Sequence, residues 1–173
     1  NEEIYSSLKK KVWYGIDRDK KKVDILDPLP AHPDGLGYKM NMNDITAALA
    51  CIAMDELDAA LVRRKEMGEL YRNELGGLSN VKLMNYKEDR TPNYQIFPVH
   101  AHNRRGFAEY MWNKGIQVNI NNRRNDIYDI FGGLREDLPN TAKADQDVIL
   151  LPLHLDLTEK DVSRVIDAVK NYA

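Results

Sequence analysis

The hydrophobic pattern of the first part of the chain predicts one short helix and a polar loop. Apolar residues recur at every fourth position near the start, which is the spacing of one helix face and predicts a helix over residues 2–11; they are Ile4, Leu8 and Val12. Residues 17–36 are polar and interrupted by proline and glycine, which predicts a long surface loop. A loop of about 20 residues without secondary structure is uncommon inside a compact domain and is often functional.

A much longer helical pattern begins at Asn43 and ends at Gly76-Gly77. Asn43 is a good N-cap residue, the acidic Asp44 suits the first turn, and the two glycines predict the end of the helix. A helix of about 30 residues would be roughly 45–50 Å long. Its apolar stripe is formed by Ile45, Leu49, Ile52, Leu57 and Leu61. Alanines cover much of the remaining surface, so we expect this helix to pack closely against two neighbours.

Strand and helix patterns alternate after the glycine pair. Short apolar or alternating segments predict strands. These segments are residues 81–84, 94–99, 116–120 and 148–151. Pro98 predicts that its strand is an edge strand or contains a bulge. Helices are predicted after Asn103, from Asn140, and after Thr158, which forms a capping box with Asp161. The chain therefore predicts an α+β fold, with helices packed on a short antiparallel sheet.

Charge and composition narrow the class of protein. The 173 residues carry 25 basic and 27 acidic side chains, and this balance argues against nucleic acid as a partner. No apolar segment approaches the roughly 18 residues of a membrane helix and no signal-peptide pattern is present, so the sequence predicts a soluble, cytoplasmic protein without a membrane partner. Cys51, the single cysteine, lies among apolar residues and is predicted to be a buried structural thiol. The sequence opens at Asn1 rather than at methionine, as expected of either a processed or an excised segment.

The turn before the long helix is the first candidate binding site. It consists of Gly37-Tyr38-Lys39-Met40-Asn41-Met42-Asn43-Asp44. The first N–H groups of a helix and its dipole favour anions such as phosphate, and Lys39 adds a positive charge. The same residues also describe a helix cap followed by a structural helix. Phosphate binding and simple capping are therefore both open at this turn.

A second polar cluster follows the third strand segment, at residues 119–126. Arg123 and Arg124 can each bind phosphate with two parallel hydrogen bonds, and Asn121 can bind sugar hydroxyl groups. Successive side chains of an extended stretch point to opposite sides, so we expect only one of the two arginines to face a ligand. The alternative interpretation is a solvated surface loop.

Other common catalytic arrangements are absent from the sequence. It has no nucleophile elbow, no phosphate-binding loop of the Walker type and no dinucleotide-binding glycine pattern. His100 and His102 lie two positions apart after a predicted strand, but no further ligands accompany them, so no metal site is predicted. No lysine stands in the serine- and glycine-rich context expected of a lysine that binds a cofactor covalently. We therefore predict no catalytic residue within this chain.

Four segments, in the same order along the chain, carry a resemblance to a known family. They are Gly37–Ile45, Asn93–Val99, Lys114–Val118 and Leu151–Val162. They resemble segments of the DegT/DnrJ/EryC1/StrS family of pyridoxal-phosphate sugar aminotransferases. The first resembles the family's Gly-Tyr-Lys-Tyr-Asn-Leu-Thr-Asp-like turn and the second its Tyr-His-Leu-Phe strand. The third resembles its helix-to-strand step at Gly-Ile, and the fourth its C-terminal end. The resemblance covers nearly the whole chain.

The resemblance implies a fold and a division into domains. It implies the C-terminal small domain of a fold-type I aminotransferase, reached through a long connecting helix. Residues 1–42 would be the tail end of the large cofactor domain, 43–77 the connecting helix, and 78–173 the α+β small domain. The family's cofactor-binding lysine would lie before Asn1. Asn121 stands near a family histidine, and the resemblance associates that departure with a different sugar.

The resemblance also implies an activity. The parent would be a homodimer that uses pyridoxal 5'-phosphate to move an amino group from an amino acid, glutamate in particular, to a nucleotide-linked keto sugar, in polysaccharide or natural-product biosynthesis. Lys39 and Asn41 would hold the cofactor phosphate across the dimer interface, and Asn121, Arg123 and Arg124 would bind the nucleotide sugar. This segment alone would be inactive. Two alternatives stay open: a sugar dehydrase of the same family, with histidine in place of the lysine, and a non-enzymatic dimerisation module.

Overall fold

The computed structural model of the chain describes residues 1–17, 19, 33–40, 42–120 and 123–172. Its helices are α1 Glu2–Lys11, α2 Asp44–Asp55, α3 Leu57–Leu75, α4 Arg104–Asn113, α5 Pro139–Asp147 and α6 Glu159–Lys170. Its strands are β1 Val81–Leu83, β2 Phe97–Ala101 and β3 Val148–Leu151. Two short 3-10 turns, Asn125–Ile127 and Asp129–Phe131, lie between α4 and α5. Most of the predicted loop at 17–36 falls outside the described residues.

The three strands form one antiparallel sheet in the order β1-β2-β3. Val81 pairs with Ala101 on one side of β2, and Phe97 pairs with Leu151 on the other. Side chains of β2 alternate between buried and half-buried positions, as a strand with one face on a core requires. The predicted α+β fold with a short antiparallel sheet is confirmed.

Pro98 corrects the prediction of an edge strand, because β2 is the central strand of the sheet. The register explains how a proline is accommodated there. Pro98 lies opposite Leu150, whose backbone N–H and C=O bind Asn119 on the other side of β3. The backbone of Pro98 therefore faces away from β3, towards the side where the pairing with β1 has already ended at Val99. The missing N–H of proline removes no ladder hydrogen bond at this position.

Two predicted strands differ from the observed ones. The strand predicted over 94–99 begins only at Phe97, because the Asn93 side chain accepts a hydrogen bond from the Gln95 N–H at 3.1 Å and Tyr94 has a positive φ of 49°. The strand predicted over 116–120 is reduced to a single bridge between Asn119 and Leu150. Ile116 and Val118 are buried, but the N–H of Ile116 donates to the carbonyl of Met111, at the end of α4, 2.9 Å away.

The predicted helix caps are present. Asn43 accepts a hydrogen bond from the Thr46 N–H at 2.9 Å, and Asn103 accepts one from the Gly106 N–H at 3.0 Å. Thr158 and Asp161 form the reciprocal capping box at the start of α6. The helix expected from Asn140 begins one residue earlier, at a proline that suits the first helical position.

The core is formed by residues from Met67 onwards and lies between the sheet and helices α3, α4 and α6. Ring contacts mark its centre, where Tyr71 and Phe97 have centroids 5.0 Å apart and the Tyr71 hydroxyl donates to the Pro152 carbonyl at 2.9 Å. The largest fully buried side chains are Tyr71, Phe97, Phe107, Met67, Leu75, Met111, Ile149, Val99, Val162 and Val169. Burial of this size supplies most of the stabilisation of a small domain.

Helices α1 and α2 bury none of their residues. The apolar stripe predicted for the long helix is therefore exposed over α2, with 74% of Ile45 accessible to solvent. The predicted burial of Cys51 is wrong for this chain, because α2 presents that residue to solvent as well. The long helix is also divided at Glu56, where φ −98° and ψ −4° interrupt the helical ladder for one residue.

Gly68 allows the Tyr94 ring to pack directly on the backbone of α3. A Cβ added at Gly68 would lie 2.2 Å from Cδ1 of Tyr94. The neighbouring Arg64 fixes this loop, because its Nη1 donates to the carbonyls of Tyr94 at 3.4 Å and Gln95 at 3.2 Å. Because Gly68 has no side chain, the ring of Tyr94 can be buried against α3.

We expect Gly68→Ala to lower the free energy of unfolding by about 1–3 kcal/mol, the usual cost of overpacking a core. Helix propensity alone predicts the opposite, a gain of ~1 kcal/mol for alanine over glycine. Urea unfolding of the variant decides between the two. Asn73→Ala, on the exposed side of the same helix, is the matched control and should be neutral or slightly stabilising. A Gly68→Ala protein as stable as the parent would contradict this account.

Candidate functional site

The predicted phosphate-binding turn pairs with the residues that follow α1. The Tyr38 N–H donates to the Lys11 carbonyl at 2.7 Å, and the Tyr14 N–H donates to the Tyr38 carbonyl at 3.1 Å. An antiparallel bridge joins Trp13 to Lys39. The turn is therefore held as an extended segment beside residues 12–14.

Two glycines make this close pairing possible. A Cβ added at Gly37 would lie 1.9 Å from the Gly15 nitrogen, and Gly15 has a φ of +75°. The backbone of one segment passes directly over that of the other, and any side chain would force them apart. The sequence pattern places Gly37 in the turn, but nothing in it indicates that Gly15, more than 20 residues earlier, is its partner.

Lys39 is exposed, and its Nζ lies 5.8 Å from the centroid of the Trp13 ring, a cation–π contact. The first turn of α2 begins after the Asn43 cap, whose side chain binds both the N–H and the hydroxyl of Thr46. Asn41, the second predicted phosphate ligand, lies outside the described residues. The capping interpretation of the turn is therefore confirmed for Asn43, and phosphate binding by Lys39 stays a prediction.

In the second cluster, Arg124 forms an internal ion pair with Asp126. Its Nε and Nη2 donate to the two carboxylate oxygens at 2.7 and 2.6 Å, and only 7% and 10% of the two side chains are exposed. The same residues bind Arg135, whose N–H donates to Asp126 at 2.9 Å and whose carbonyl accepts from Arg124 at 2.9 Å. This set of contacts, called here the Arg124–Asp126 clasp, closes the loop over residues 124–135.

Arg123 has a different environment. Its Nε donates to Oδ1 of Asp145 at 3.1 Å, and a third of its side chain is exposed. The same Asp145 oxygen accepts the backbone N–H of Arg124 at 3.0 Å. Of the two predicted arginines, Arg123 is therefore the one nearer the surface. Asn121, the third predicted substrate residue, lies outside the described residues.

The predicted cluster included Asp126 without giving it a role, and it did not include Asp145. Asp126 is two positions after Arg124, and this spacing could have indicated the ion pair. Asp145 is 22 positions after Arg123 and is brought there by the fold, so no local pattern points to it. A turn follows at Phe131-Gly132-Gly133, where both glycines have positive φ.

His100 and His154 do not join the cluster. His100 lies in β2, and His154 is exposed near Asp156, with 3.8 Å between Nδ1 and the carboxylate. Among the described residues there is no group of three or more histidine, cysteine, aspartate or glutamate side chains placed to hold a metal ion. In the same part of the chain, no helix combines the length and apolar character that crossing a membrane would require.

A groove of about 460 Å³ lies elsewhere, beside the end of β3, with Asp161 and Arg164 among its lining residues. Both charged groups already have structural roles. Asp161 caps α6, and Arg164 donates to the carbonyl of Lys114. The groove contains neither of the predicted arginines, so the arginine cluster is the stronger candidate for anion binding.

The clasp should open in acid. The bidentate hydrogen bonds from Arg124 lower the pKa of Asp126 to about 2, against an opposing effect of desolvation. Because the folded pKa lies below the ordinary value of 3.8, the clasp stabilises the fold fully above about pH 4, and this stabilisation is lost as the pH falls towards 2.

NMR titration of the Asp126 carboxyl carbon provides the measurement. We expect a midpoint near 2, and amide exchange in residues 124–135 should rise over the same pH window. The Asp126→Asn variant should have a faster-exchanging loop already at pH 6, with no further change in acid attributable to this group. A midpoint close to the ordinary value would show that the clasp does not form in solution.

The chain is similar in sequence to a known protein family and to individual proteins. The family model described as "DegT/DnrJ/EryC1/StrS aminotransferase family" matches residues 1–170. An uncharacterized protein from Methanocaldococcus jannaschii, MJ1066, is 25% identical over 189 aligned positions that take in 98% of this chain and 47% of its own.

Solved structures match in the same way. The sugar aminotransferase CalS13 from Micromonospora echinospora is 25% identical, with a TM-score of 0.67 over 98% of this chain and 45% of its own. The putative sugar aminotransferase Spr1654 from Streptococcus pneumoniae, in its PLP form, is 20% identical with a TM-score of 0.68, over 98% of this chain and 43% of its own. The chain thus spans less than half the length of these relatives. Since the family model covers nearly every residue, the chain belongs to the DegT/DnrJ/EryC1/StrS aminotransferase family.

Proposed function

We propose that this chain is the C-terminal portion of a pyridoxal-phosphate-dependent aminotransferase that moves an amino group from an amino acid to a nucleotide-linked keto sugar. The observation that carries the proposal is the family match over residues 1–170. The cofactor agrees with the solved PLP and PMP forms of the S. pneumoniae relative. Glutamate is the expected donor, and the product would enter a cytoplasmic route to polysaccharide or natural-product sugars.

The position of the core supports a division of the chain into three parts. Residues 78–173 would be the small domain, since most of the buried residues of the chain are there or in the second half of α3. Residues 1–42 would belong to the large cofactor domain, and 43–77 would connect the two. The exposed apolar stripe of α2 supports this assignment, because a connecting helix must have neighbours on more than one side. A homodimer would supply those neighbours together with the large domain.

The turn at Lys39 suits a phosphate group by its chemistry. Lys39 offers an exposed ammonium group directly ahead of the start of α2, and Asn41 would add a neutral donor. When bound, pyridoxal phosphate supplies the electron sink for the transfer of the amino group. The role of these residues is to hold its phosphate and so fix its position, across the interface to the second subunit.

For the sugar substrate, the geometry favours Arg123 over Arg124. Arg124 is almost buried and occupied by Asp126, whereas Arg123 is partly exposed at the surface of the same loop. Arg123 would bind the diphosphate, with Asn121 nearer the hexose. Arg124 would contribute by keeping the loop closed.

Two other functions compete with this one. A sugar dehydrase of the same family would differ at a position outside this chain, and product analysis separates the two: an aminotransferase yields an amino sugar and a 2-oxo acid. A dimerisation module is favoured by the exposed stripe of α2. It would show no absorbance from bound pyridoxal phosphate in the full-length protein.

Lys39→Ala should weaken cofactor binding in the full-length protein by at most the ~1.5–3 kcal/mol of a charged hydrogen bond, or about 10- to 150-fold in Kd. Equilibrium dialysis followed by absorbance of the retained cofactor measures the effect. Lys65→Ala, an exposed lysine paired with Glu69 on α3, is the control and should bind normally. Normal affinity in the Lys39→Ala/Asn41→Ala double variant would exclude the phosphate role.

Arg123→Ala should raise the KM for the nucleotide sugar by about 10- to 150-fold and leave the KM for the amino donor unchanged, since the donor carries no diphosphate. Little change in kcat is expected, because the diphosphate is bound equally in the ground and transition states. Arg124→Ala should act mainly on stability. Steady-state kinetics of the full-length enzyme tests this, and equal loosening of both substrates would favour the solvated-loop interpretation.

The 173-residue chain alone should show no transaminase activity, because no lysine in it has the serine- and glycine-rich context expected of covalent cofactor binding. Borohydride reduction in the presence of pyridoxal phosphate, followed by peptide mapping, should find no lysine labelled in preference to the others. Selective labelling of one lysine would overturn this prediction.

A further inference from the structure

Asp145 connects the arginine loop to helix α5. It lies in the last turn of that helix, and its side chain is only 14% exposed. Its Oδ1 accepts hydrogen bonds from Nε of Arg123 at 3.1 Å and from the backbone N–H of Arg124 at 3.0 Å. One carboxylate oxygen therefore fixes both the side chain of one arginine and the main chain of the next.

The position of Asp145 is unfavourable for the helix itself. A carboxylate in the last turn opposes the negative end of the helix dipole. Arg104 of α4 offsets this unfavourable interaction with the dipole of α5. Its Nη1 donates to the carbonyls of Asp145 and, at 3.3 Å, of Val148. Burial lowers the pKa of Arg104 and the nearby Asp145 opposes that shift. The hydrogen bonds that the Asp145 carboxylate accepts from Arg123 and Arg124 offset this cost.

The cluster keeps a positive charge despite its acidic members. Arg123 pairs with the carboxylate of Asp145 and Arg124 with that of Asp126, and a third guanidinium group, that of Arg104, lies beside them on the backbone carbonyl of Asp145. Asp147, the next acidic residue of α5, is paired with Lys143 instead. Asp145 can therefore orient Arg123 without removing the attraction of the cluster for a diphosphate.

We propose that Asp145 is a positioning residue for substrate recognition, which holds the guanidinium plane of Arg123 in the orientation that binds the diphosphate of the nucleotide sugar. A bidentate guanidinium contact depends on the orientation of its plane, and a bond at Nε fixes that plane. The inference rests on the proposed function, since it presumes that Arg123 meets the diphosphate.

Kinetics of the full-length enzyme with two substitutions test the role. Asp145→Ala should raise the KM for the nucleotide sugar by about tenfold, with kcat and the donor KM unchanged. Asp145→Asn keeps an oxygen acceptor but loses the charge, so a rise of a few-fold is expected. Asp147→Ala is the matched control, because Asp147 lies in the same turn with the same 14% side-chain exposure and binds Lys143 instead of the loop. It should leave every constant unchanged.

A readout independent of turnover is the binding of UDP and dTDP by calorimetry. Whichever nucleotide binds, Asp145→Ala should weaken it by the same factor as it raises the sugar KM. The Arg123→Ala/Asp145→Ala double variant should bind the nucleotide no more weakly than Arg123→Ala alone, since the proposed effect of Asp145 on the diphosphate passes through the Arg123 side chain. Additive effects, or an equal effect of Asp147→Ala, would overturn the proposal.

The kinetic results distinguish a failure of the positioning role of Asp145 from a failure of the proposed function. If Arg123→Ala leaves the sugar KM unchanged, the diphosphate site itself is wrong and the role of Asp145 fails with it. If Arg123→Ala raises the KM but neither Asp145 variant does, only the positioning role is wrong. Should Asp145→Ala not fold, Asp145→Asn carries the test alone, and a sugar KM equal to that of the parent protein would refute the proposal.

Discussion

The buried face of β2 is the constraint on which the second half of the chain depends. Phe97, Val99 and Ala101 occupy alternate positions of this central strand, and all three are buried. β1 and β3 pair with its two edges, while α4 and α5 pack against it. Because α5 runs directly into β3 and Arg104 of α4 binds the carbonyls at that junction, the register of the sheet also determines where the arginine cluster lies.

Much of this architecture could be predicted from local patterns. Helix starts at Asn43, Asn103 and Thr158 follow from side chains that bind N–H groups within three residues, so the information is contained in a few adjacent positions. The antiparallel sheet followed from short alternating segments, and the family from four segments in order. The local pattern gave the wrong position for the strand that contains Pro98. Whether a central strand can contain a proline there depends on where the neighbouring strand β1 ends.

The contacts of the candidate site could not be predicted in the same way. The sequence singled out both arginines, but their different environments depend on Asp126 nearby and on Asp145, which the fold brings from α5. Gly15 and Gly37 likewise matter only because two separate segments cross at van der Waals distance. Such pairings are properties of the tertiary structure, and no periodicity along the chain encodes them. The exposure of Cys51 has a related cause. The apolar residues around it indicate that some other segment should cover this part of the helix, but they do not identify that segment.

The uneven distribution of buried residues has a consequence for cooperativity. Since the apolar face of α6 is buried, its amide protons are expected to exchange only when the whole core opens, whereas α1 and α2 bury no side chain and are expected to open locally at much lower free energy. A neighbouring domain or subunit that covers α2 would extend the cooperative unit to the start of the chain. Such contact would at the same time order the segment that holds Lys39, so that assembly and the completion of a phosphate site would become a single thermodynamic event.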